Sequence, residues 1–220
     1  MEETFHAPDN KIRWIDTSVW ERTFIFDNYL GTDLPYIIMT ADTDVTRPLG
    51  FARENDVSFN LVMVYLCNSV MDSIKNYRYR FIDGRPFIID HIRPFINHLA
   101  PGSETFVISE GPWPCDDIIK FCKETHKRFE KMDQESSFAK MSGQLDIVNY
   151  TSIPWVRYTG FVRTIKKDGE DNAPKISFGK YYEKDGRVLM PVSNQSHHGL
   201  MDGYHVGLFF NRLQEACDAL

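Results

Sequence analysis

The sequence predicts an α/β two-layer sandwich with a mixed β-sheet, folded as one domain over residues 1–220. Three observations support this prediction. An apolar, β-branched run over residues 187–192 is typical of a strand. After residue 205, apolar side chains recur at helical spacing. Strand-like and helical segments are interspersed along the rest of the chain, and such a mixture favours helices packed on a sheet.

The first elements are expected to be a helix and a strand. Asp16 or Thr17 can cap the helix, which should carry Trp20 and Arg22. The strand is predicted over residues 35–45, where the chain becomes apolar.

A short helix and a long apolar helix are expected next. Pro48 fits the first turn of the short helix, where its missing N–H leaves no bond unmade. Ser58 can cap the long helix, which is predicted over residues 59–74 and is apolar on nearly every side. The pair Asp83-Gly84 then indicates a hairpin between two strands.

The middle of the chain is expected to contain two more strands, a helix and a loop. The strands lie near residues 96–99 and 105–109. Residues 115–132 place apolar side chains on one face and so predict an amphipathic helix. The polar stretch 133–143 is expected to be a loop.

Strands should dominate residues 145–198, with interruptions at 166–174 and at the Asp185-Gly186 turn. The residues after Trp155 are therefore expected to continue as a strand. Since a helix is predicted after residue 205, the polar cluster at 195–205 should lie where a strand ends and a helix begins.

The composition argues against some classes of function. A formal net charge of −6 does not favour general binding to nucleic acid or to anionic membranes. No apolar run has the length of a membrane span, and residues 1–10 lack a charged-then-apolar signal region, so a cytoplasmic protein is expected. The four cysteines have no Cys-x-x-Cys spacing and are expected to be reduced thiols: Cys67, Cys115, Cys122 and Cys217.

The cluster from Gln195 to His205 has the residue types of a catalytic site. It contains two adjacent histidines, an aspartate four residues after the second, and a glycine after that. Neighbouring side chains of a strand point to opposite faces, so His197 and His198 cannot both enter one pocket. One should be structural, and the other is free to act as a base, because the imidazole pKa lies near neutrality.

This cluster resembles the His-His-x-x-x-Asp-Gly signature of the chloramphenicol O-acetyltransferase family (type A), whose members are CoA-dependent acyltransferases. Further segments resemble the family in the same order along the chain: 20–22, 151–156, 179–181, 185–191 and 211–215. The resemblance implies a CoA-dependent acyltransferase fold, a homotrimer with active sites between subunits, and acetyl-CoA as co-substrate. The length favours a stand-alone acetyltransferase over the related dihydrolipoamide acyltransferases and peptide-synthetase condensation domains.

The resemblance also implies roles for individual residues. His198 would be the general base that deprotonates the acceptor hydroxyl, and His205 would be structural. Thr151 falls at the family's catalytic serine position, where a hydroxyl can donate a hydrogen bond to the oxyanion. This is a departure, because the extra methyl group of threonine stiffens χ1 and can crowd the acyl group. Asp202 would form a structural ion pair with Arg22.

Binding roles follow from the same resemblance. Lys180 and Tyr181 would contact the adenine and phosphates of CoA, with Ser177 as a nearby hydroxyl. The acceptor pocket would include three residues of the C-terminal half: Phe161, Arg163 and Lys175. The last two are a second departure, because the family has apolar residues at both positions. If their side chains face the pocket, a polar or anionic acceptor would fit better than chloramphenicol.

The residues leave a zinc site to consider, and the resemblance leaves two alternatives to its favoured function. A zinc site would need His197, His198, Asp202 and His205 to converge, which adjacent strand histidines do not favour, so no metal is expected. The favoured function is transfer of acetyl from acetyl-CoA to a hydroxyl of chloramphenicol in a ternary complex. The alternatives are an acetyltransferase of this family acting on a more polar hydroxyl compound, and a CoA-binding trimer with impaired catalysis.

Overall fold

The computed structural model describes residues 5–99, 102–166 and 171–220. Part of the predicted interruption at 166–174 therefore lies outside the described residues. The elements follow in chain order: β1 Ile12–Trp14, α1 Thr23–Leu30, β2 Tyr36–Asp44, α2 Thr46–Glu54, α3 Phe59–Ser73, β3 Tyr79–Ile82, β4 Arg85–Ile89, β5 Arg93–Leu99, β6 Phe106–Glu110, α4 Ile118–Phe129, α5 Gln134–Met141, β7 Ile147–Ile153, β8 Lys175–Gly179, β9 Tyr182–Lys184, β10 Arg187–His197 and α6 Gly203–Asp218.

The strands form two sheets. The larger sheet has seven strands in the order β2-β10-β8-β7-β5-β6, with β9 paired to one end of β10. Strands β5, β7 and β8 run parallel to one another, and the other pairings are antiparallel, which confirms the predicted mixed sheet. The smaller sheet consists of β1, β4 and β3.

One face of the larger sheet packs against helices. Alternate side chains of three central strands, among them Tyr150, Ile176 and Val192, share the main core with α3 and α6. Nine of the fifteen residues of α3 are buried, as its apolar sequence predicts. Buried Arg80 lies on β3 of the smaller sheet and joins the two sheets. Its guanidinium donates to the carbonyl of Ile147 in β7 of the larger sheet and to that of Leu145 just before it.

The intervening residues of the same strands form the second face of the larger sheet. Register places Thr151, Ser177 and Ser193 side by side in one row across β7, β8 and β10. Asn149, Lys175 and Gln195 form the adjacent row. This second face therefore carries Thr151 and Lys175, two of the predicted site residues.

The start of the first helix and the capping of α3 differ from the sequence predictions. The first helix begins at Thr23, so Trp20 and Arg22 precede it. Asp16 does not cap a helix but accepts hydrogen bonds from the backbone and hydroxyl of Ser18, which forms a local turn. Ser58 does occupy the N-cap position of α3, but its side chain makes no capping hydrogen bond.

Two segments in the second half of the chain were also predicted wrongly. The stretch expected to be a loop contains α5, where Phe138 packs on Phe106 of β6 with ring centroids 5.5 Å apart. Residues 154–166 are not a strand. They cross the second face of the sheet, where the hydroxyl of Tyr158 donates to the carbonyl of Ser177 over 2.7 Å.

The remaining sequence predictions concern cysteines and membrane spans. All four cysteines lie in the described ranges and have free thiols, with Cys115 half-buried and the other three buried. Among the helices of the described residues, none combines the length and apolar character needed to cross a bilayer.

Candidate active site

The predicted histidine cluster lies in the turn that joins β10 to α6. His198 is the first residue after the strand, and its backbone N–H donates to the carbonyl of Pro35 over 2.7 Å. Gly199 follows in a crowded position, because a Cβ atom there would lie 3.1 Å from the ring of His197 and 3.3 Å from Phe26. A larger residue at position 199 would have to displace the ring of His197 or of Phe26, so glycine suits this close turn.

Arg22 holds this turn in place. Its guanidinium makes two hydrogen bonds to the Asp202 carboxylate, over 2.5 and 3.2 Å. It also donates to the carbonyl of His198 over 3.3 Å and to that of Gly199 over 3.4 Å. The predicted ion pair is thus present. The Arg22 side chain is almost fully buried, and its bonds to these two carbonyls also fix the backbone at His198 and Gly199.

Asp202 begins α6 as its N-cap residue. Its carboxylate accepts the backbone N–H of His205, and its own N–H donates to Nδ1 of His205 over 3.1 Å. Hydrogen bonding to Arg22 lowers the pKa of Asp202, and the charge of Arg22 adds to that effect. Burial lowers the pKa of His205, which keeps its ring neutral so that Nδ1 can accept. These contacts fit the structural role predicted for His205.

The ring of His198 is held but not enclosed. It stacks on Tyr29 of α1, with centroids 4.2 Å apart and planes inclined by 10°. Its Nδ1 is buried 3.6 Å from Oδ1 of Asp202 and forms no hydrogen bond with the described residues. Because the side chain is 27% exposed while Nδ1 is buried, Nε2 is the nitrogen available to another molecule. Tyr29 is a site residue that the sequence analysis missed.

His197 points to the opposite side, as strand alternation predicts. It is 1% exposed and packs edge-on against Phe81 and Tyr36. Its Nδ1 accepts the backbone N–H of Gly199 over 3.2 Å. Burial, and to a smaller extent the neighbouring His198, lower the pKa of His197 to about 4. A neutral, buried ring in this position supports the turn rather than proton transfer.

Thr151 lies near the end of β7 on the second face of the sheet. Its hydroxyl oxygen accepts a hydrogen bond from the amide of Asn97 over 3.4 Å. With its oxygen held by a donor, the hydroxyl proton is free to point toward another group. Asn97 was not predicted, because nothing in the sequence shows that β5 lies beside β7.

His198 and Thr151 of one chain are far apart. Thr151 and Ser193 lie in one row, with β8 between them, and His198 is five residues beyond Ser193. With about 3.3 Å per residue and about 4.8 Å per strand, the two Cα atoms lie on the order of 19 Å apart. A single acetyl group cannot contact both residues within one chain.

A cavity of about 330 Å³ opens at the ends of β7 and β8, one residue beyond Thr151, which does not itself line it. Asn97 and the neighbouring Ser152 line its wall, and the hydroxyl of Ser152 donates to Asn60 over 2.5 Å. The N-terminal residues of α3 and the C-terminal part of α4 form the other walls. Phe59 and Tyr181 meet edge-to-face there, with centroids 5.8 Å apart.

Two of the three residues predicted to bind CoA line this cavity. Lys180 and Tyr181 lie at its edge, where both are exposed. Ser177 is buried on the second face of the sheet, beside Thr151, and does not line the cavity. The cavity therefore offers a cation and aromatic rings at the end of β7, where Ser152, the residue after Thr151, lines it.

The three residues predicted for the acceptor pocket lie over the second face of the sheet. Phe161 packs against Tyr158 with ring centroids 5.4 Å apart. Lys175 is 7% exposed and pairs with Asp171 over 2.5 Å. Arg163 is half-buried and donates to the carbonyl of Asn149 over 2.8 Å. Burial lowers the pKa of both cations, that of Arg163 to about 10.

The zinc alternative gains no support from the described ranges. Within them, no group of three or more histidine, cysteine or carboxylate side chains is arranged to hold a metal ion. His197 and His198 diverge, and Asp202 is already engaged by Arg22.

Sequence comparisons identify similar proteins over nearly the whole chain. A family model described as chloramphenicol acetyltransferase matches residues 11–214. A chloramphenicol acetyltransferase of Clostridium perfringens is 28% identical over 207 residues, which cover 93% of this chain and 94% of that protein. Chloramphenicol acetyltransferase 2 of Haemophilus influenzae is 29% identical over 205 residues, which cover 93% of this chain and 96% of that protein.

Solved structures show the same fold. A structure described as chloramphenicol acetyltransferase superposes with a TM-score of 0.87 at 23% identity, covering 94% of this chain and 99% of that one. A dihydrolipoamide acetyltransferase of Azotobacter vinelandii gives a TM-score of 0.67 at 15% identity, covering 88% and 84%. These likenesses support the predicted acyltransferase fold.

The buried His197 predicts a pH dependence of stability. The pKa of His197 is about 4 in the folded chain and about 6.5 in the unfolded chain. Between these two pH values the unfolded chain therefore binds a proton that the folded chain does not. The free energy of unfolding should therefore fall between pH 6.5 and 4, by up to about 3 kcal/mol from this residue. Urea titrations at fixed protein concentration measure this free energy of unfolding at each pH.

The matched variant is His197→Asn, whose side-chain oxygen can replace Nδ1 as the acceptor for Gly199. Its free energy of unfolding should depend less on pH over the same range. Equal slopes for the variant and the wild type would contradict the assignment of a low pKa to His197.

Proposed function

The chain belongs to the chloramphenicol acetyltransferase family and is an acyltransferase, and from this premise we propose that it transfers an acetyl group from acetyl-CoA to a hydroxyl of chloramphenicol. The observation that carries the proposal is the His198 ring, which is fixed on one side and has Nε2 accessible on the other. A base held in this way can act on a hydroxyl that approaches from outside the chain.

His198 is proposed as the general base. A neutral Nε2 accepts the proton of the acceptor hydroxyl as the oxygen attacks the acetyl carbon, and later releases it to the thiolate that leaves. Stacking on Tyr29 fixes the plane of the ring. The bonds from Arg22 fix the backbone of His198, so the ring does not need to be ordered when the substrates arrive.

Thr151 is proposed as the donor to the acetyl oxygen, which gains negative charge as the hydroxyl attacks. Its hydroxyl proton is available because Asn97 donates to the oxygen. The methyl group that distinguishes threonine from serine does not remove this donor.

Acetyl-CoA fits the cavity beside Thr151 by its chemistry. Lys180 would bind a phosphate, and the rings of Phe59 and Tyr181 would contact the adenine or the pantetheine arm. When bound, acetyl-CoA supplies the activated acetyl thioester. The acceptor hydroxyl would attack it directly, in a ternary complex of the protein with both substrates.

A homotrimer is proposed because one chain cannot complete the site. His198 and Thr151 are separated on the order of 19 Å within a chain, by the strand spacing and rise of a sheet. If the His198 edge of one copy faces the cavity of the next, both residues reach the same acetyl group. Such a head-to-tail contact closes into a ring when three copies are related by rotation.

Replacing His198 by alanine tests the proposed base. Release of CoA from acetyl-CoA, detected with a thiol reagent, should depend on chloramphenicol in the wild type. In His198→Ala it should fall by about 100-fold or more, the usual contribution of a positioned base. The control is His91→Ala, which removes a half-exposed histidine just before the start of β5. This position is at the other end of the strand from Asn97, so the rate should be unchanged.

The result separates several possibilities. Release that depends on chloramphenicol and survives in His198→Ala would reject the proposed base. A wild type that binds acetyl-CoA but releases none with chloramphenicol would reject this acceptor.

Two replacements of Thr151 test the proposed oxyanion donor. Thr151→Val keeps the shape of the side chain and removes the hydroxyl, so kcat should fall by about 100-fold to 1,000-fold. Thr151→Ser keeps the hydroxyl and removes the methyl group, so kcat should equal or exceed that of the wild type. A Thr151→Val enzyme with kcat within a few-fold of wild type would contradict the role of the hydroxyl.

A further inference from the structure

Arg163 spans three strands on the second face of the sheet. Its backbone N–H donates to the side chain of Gln195 on β10 over 2.8 Å. Its guanidinium donates to the carbonyl of Asn149 on β7 over 2.8 Å. Gln195, Lys175 and Asn149 occupy one row of the sheet, so the arginine side chain crosses β8 above Lys175.

The positive charge here is not balanced by the described residues. Asp171 pairs with Lys175 over 2.5 Å and with no other cation at salt-bridge distance. Arg163 has no carboxylate within salt-bridge distance among residues 5–99, 102–166 and 171–220. The neighbouring His197 is neutral, because burial lowers its pKa to about 4. Among the described residues, Arg163, Lys175 and Asp171 therefore carry one net positive charge.

A half-buried cation without a counter-charge costs free energy, and a bound anion would remove that cost. Arg163 uses one N–H of its guanidinium on a carbonyl. The other N–H groups of the guanidinium have no acceptor in the described part of the chain. They are not among the buried polar atoms that lack a hydrogen bond. They are therefore accessible to another molecule, and their planar fork matches a carboxylate.

This cation lies close to the proposed reacting centre. Asn149, whose carbonyl it binds, and Thr151 are two residues apart on the same face of β7, a spacing of about 7 Å. Tyr158 and Phe161 lie over the same face, where Tyr158 donates to the carbonyl of Ser177 beside Thr151. An acceptor at Thr151 would meet an aromatic wall and then the guanidinium.

We propose that Arg163 binds an anionic group of the acceptor, so that the preferred acceptors are aromatic alcohols that carry a carboxylate. This inference rests on the proposed acetyl transfer, and it makes these anionic alcohols better acceptors than the neutral chloramphenicol. The hydroxyl lies at Thr151, and the carboxylate lies at Arg163 and does not react. The acetyl C–S bond breaks and an ester C–O bond forms, while the hydroxyl proton passes through His198 to the departing thiolate.

A matched pair of ligands tests this at equilibrium, without requiring turnover. The probes are para-(hydroxymethyl)benzoate and para-(hydroxymethyl)benzamide, which share the ring and the alcohol and differ in charge. Calorimetric titration of the wild type at neutral pH should give at least about tenfold tighter binding of the benzoate, as for a hydrogen bond to a charged group. CoA release should show the same preference in KM.

Variants assign the preference to Arg163. Arg163→Met should bind both probes equally, and Arg163→Lys should keep part of the preference because the charge remains. Arg53→Met, which removes an exposed arginine on α2, should keep all of it. Thermal unfolding checks that each variant is folded.

Three outcomes would overturn the inference: no binding of either probe, equal binding by the wild type, or a preference that survives in Arg163→Met. Tight binding of the benzoate without any CoA release would support the anion site while rejecting the proposed acetyl transfer. The two proposals can therefore fail separately.

Discussion

The ion pair between Arg22 and Asp202 connects parts of the chain that are distant in sequence. Arg22 immediately precedes α1, and Asp202 begins α6 after the turn that carries His198. The same guanidinium binds two carbonyls of that turn. Because α1 also supplies Tyr29, the backbone and the ring plane of His198 both depend on how α1 docks. Loss of Asp202 would leave the nearly buried charge of Arg22 unpaired, which is strongly destabilising.

The chemistry of the site is divided between two distant places in the chain. The strand register puts the base candidate at one end of β10 and the hydroxyl candidate near the end of β7, beside the cavity that suits acetyl-CoA. Each half of the site is held by contacts within its own chain. Arg22 and Tyr29 hold His198, and Asn97 holds Thr151. A copy of the chain that brings its own half to the opposite half of a neighbour would assemble the site without any change within either chain.

The sequence predicted elements whose signals are local and missed those that depend on distant contacts. The hairpin at Asp83-Gly84 was found because both residues adopt positive φ, as this turn requires. Helix α5 was missed because Phe138 finds its apolar partner on β6. The His198 motif was identified from its pattern, but Asn97 was not, since its partner Thr151 lies 54 residues away on a neighbouring strand. The charge of Arg163 was visible in the sequence, but the sequence does not show that no carboxylate of the described residues pairs with it.

The most direct test of the divided site is complementation between two inactive variants. His198→Ala and Thr151→Val chains are co-expressed in equal amounts, and mixed oligomers are purified through two different affinity tags. If each site takes His198 from one copy and Thr151 from the next, one of the three sites in every mixed trimer is intact, and chloramphenicol acetylation should recover to about a third of the wild-type rate. Mixed oligomers as inactive as either parent would contradict a site shared between copies.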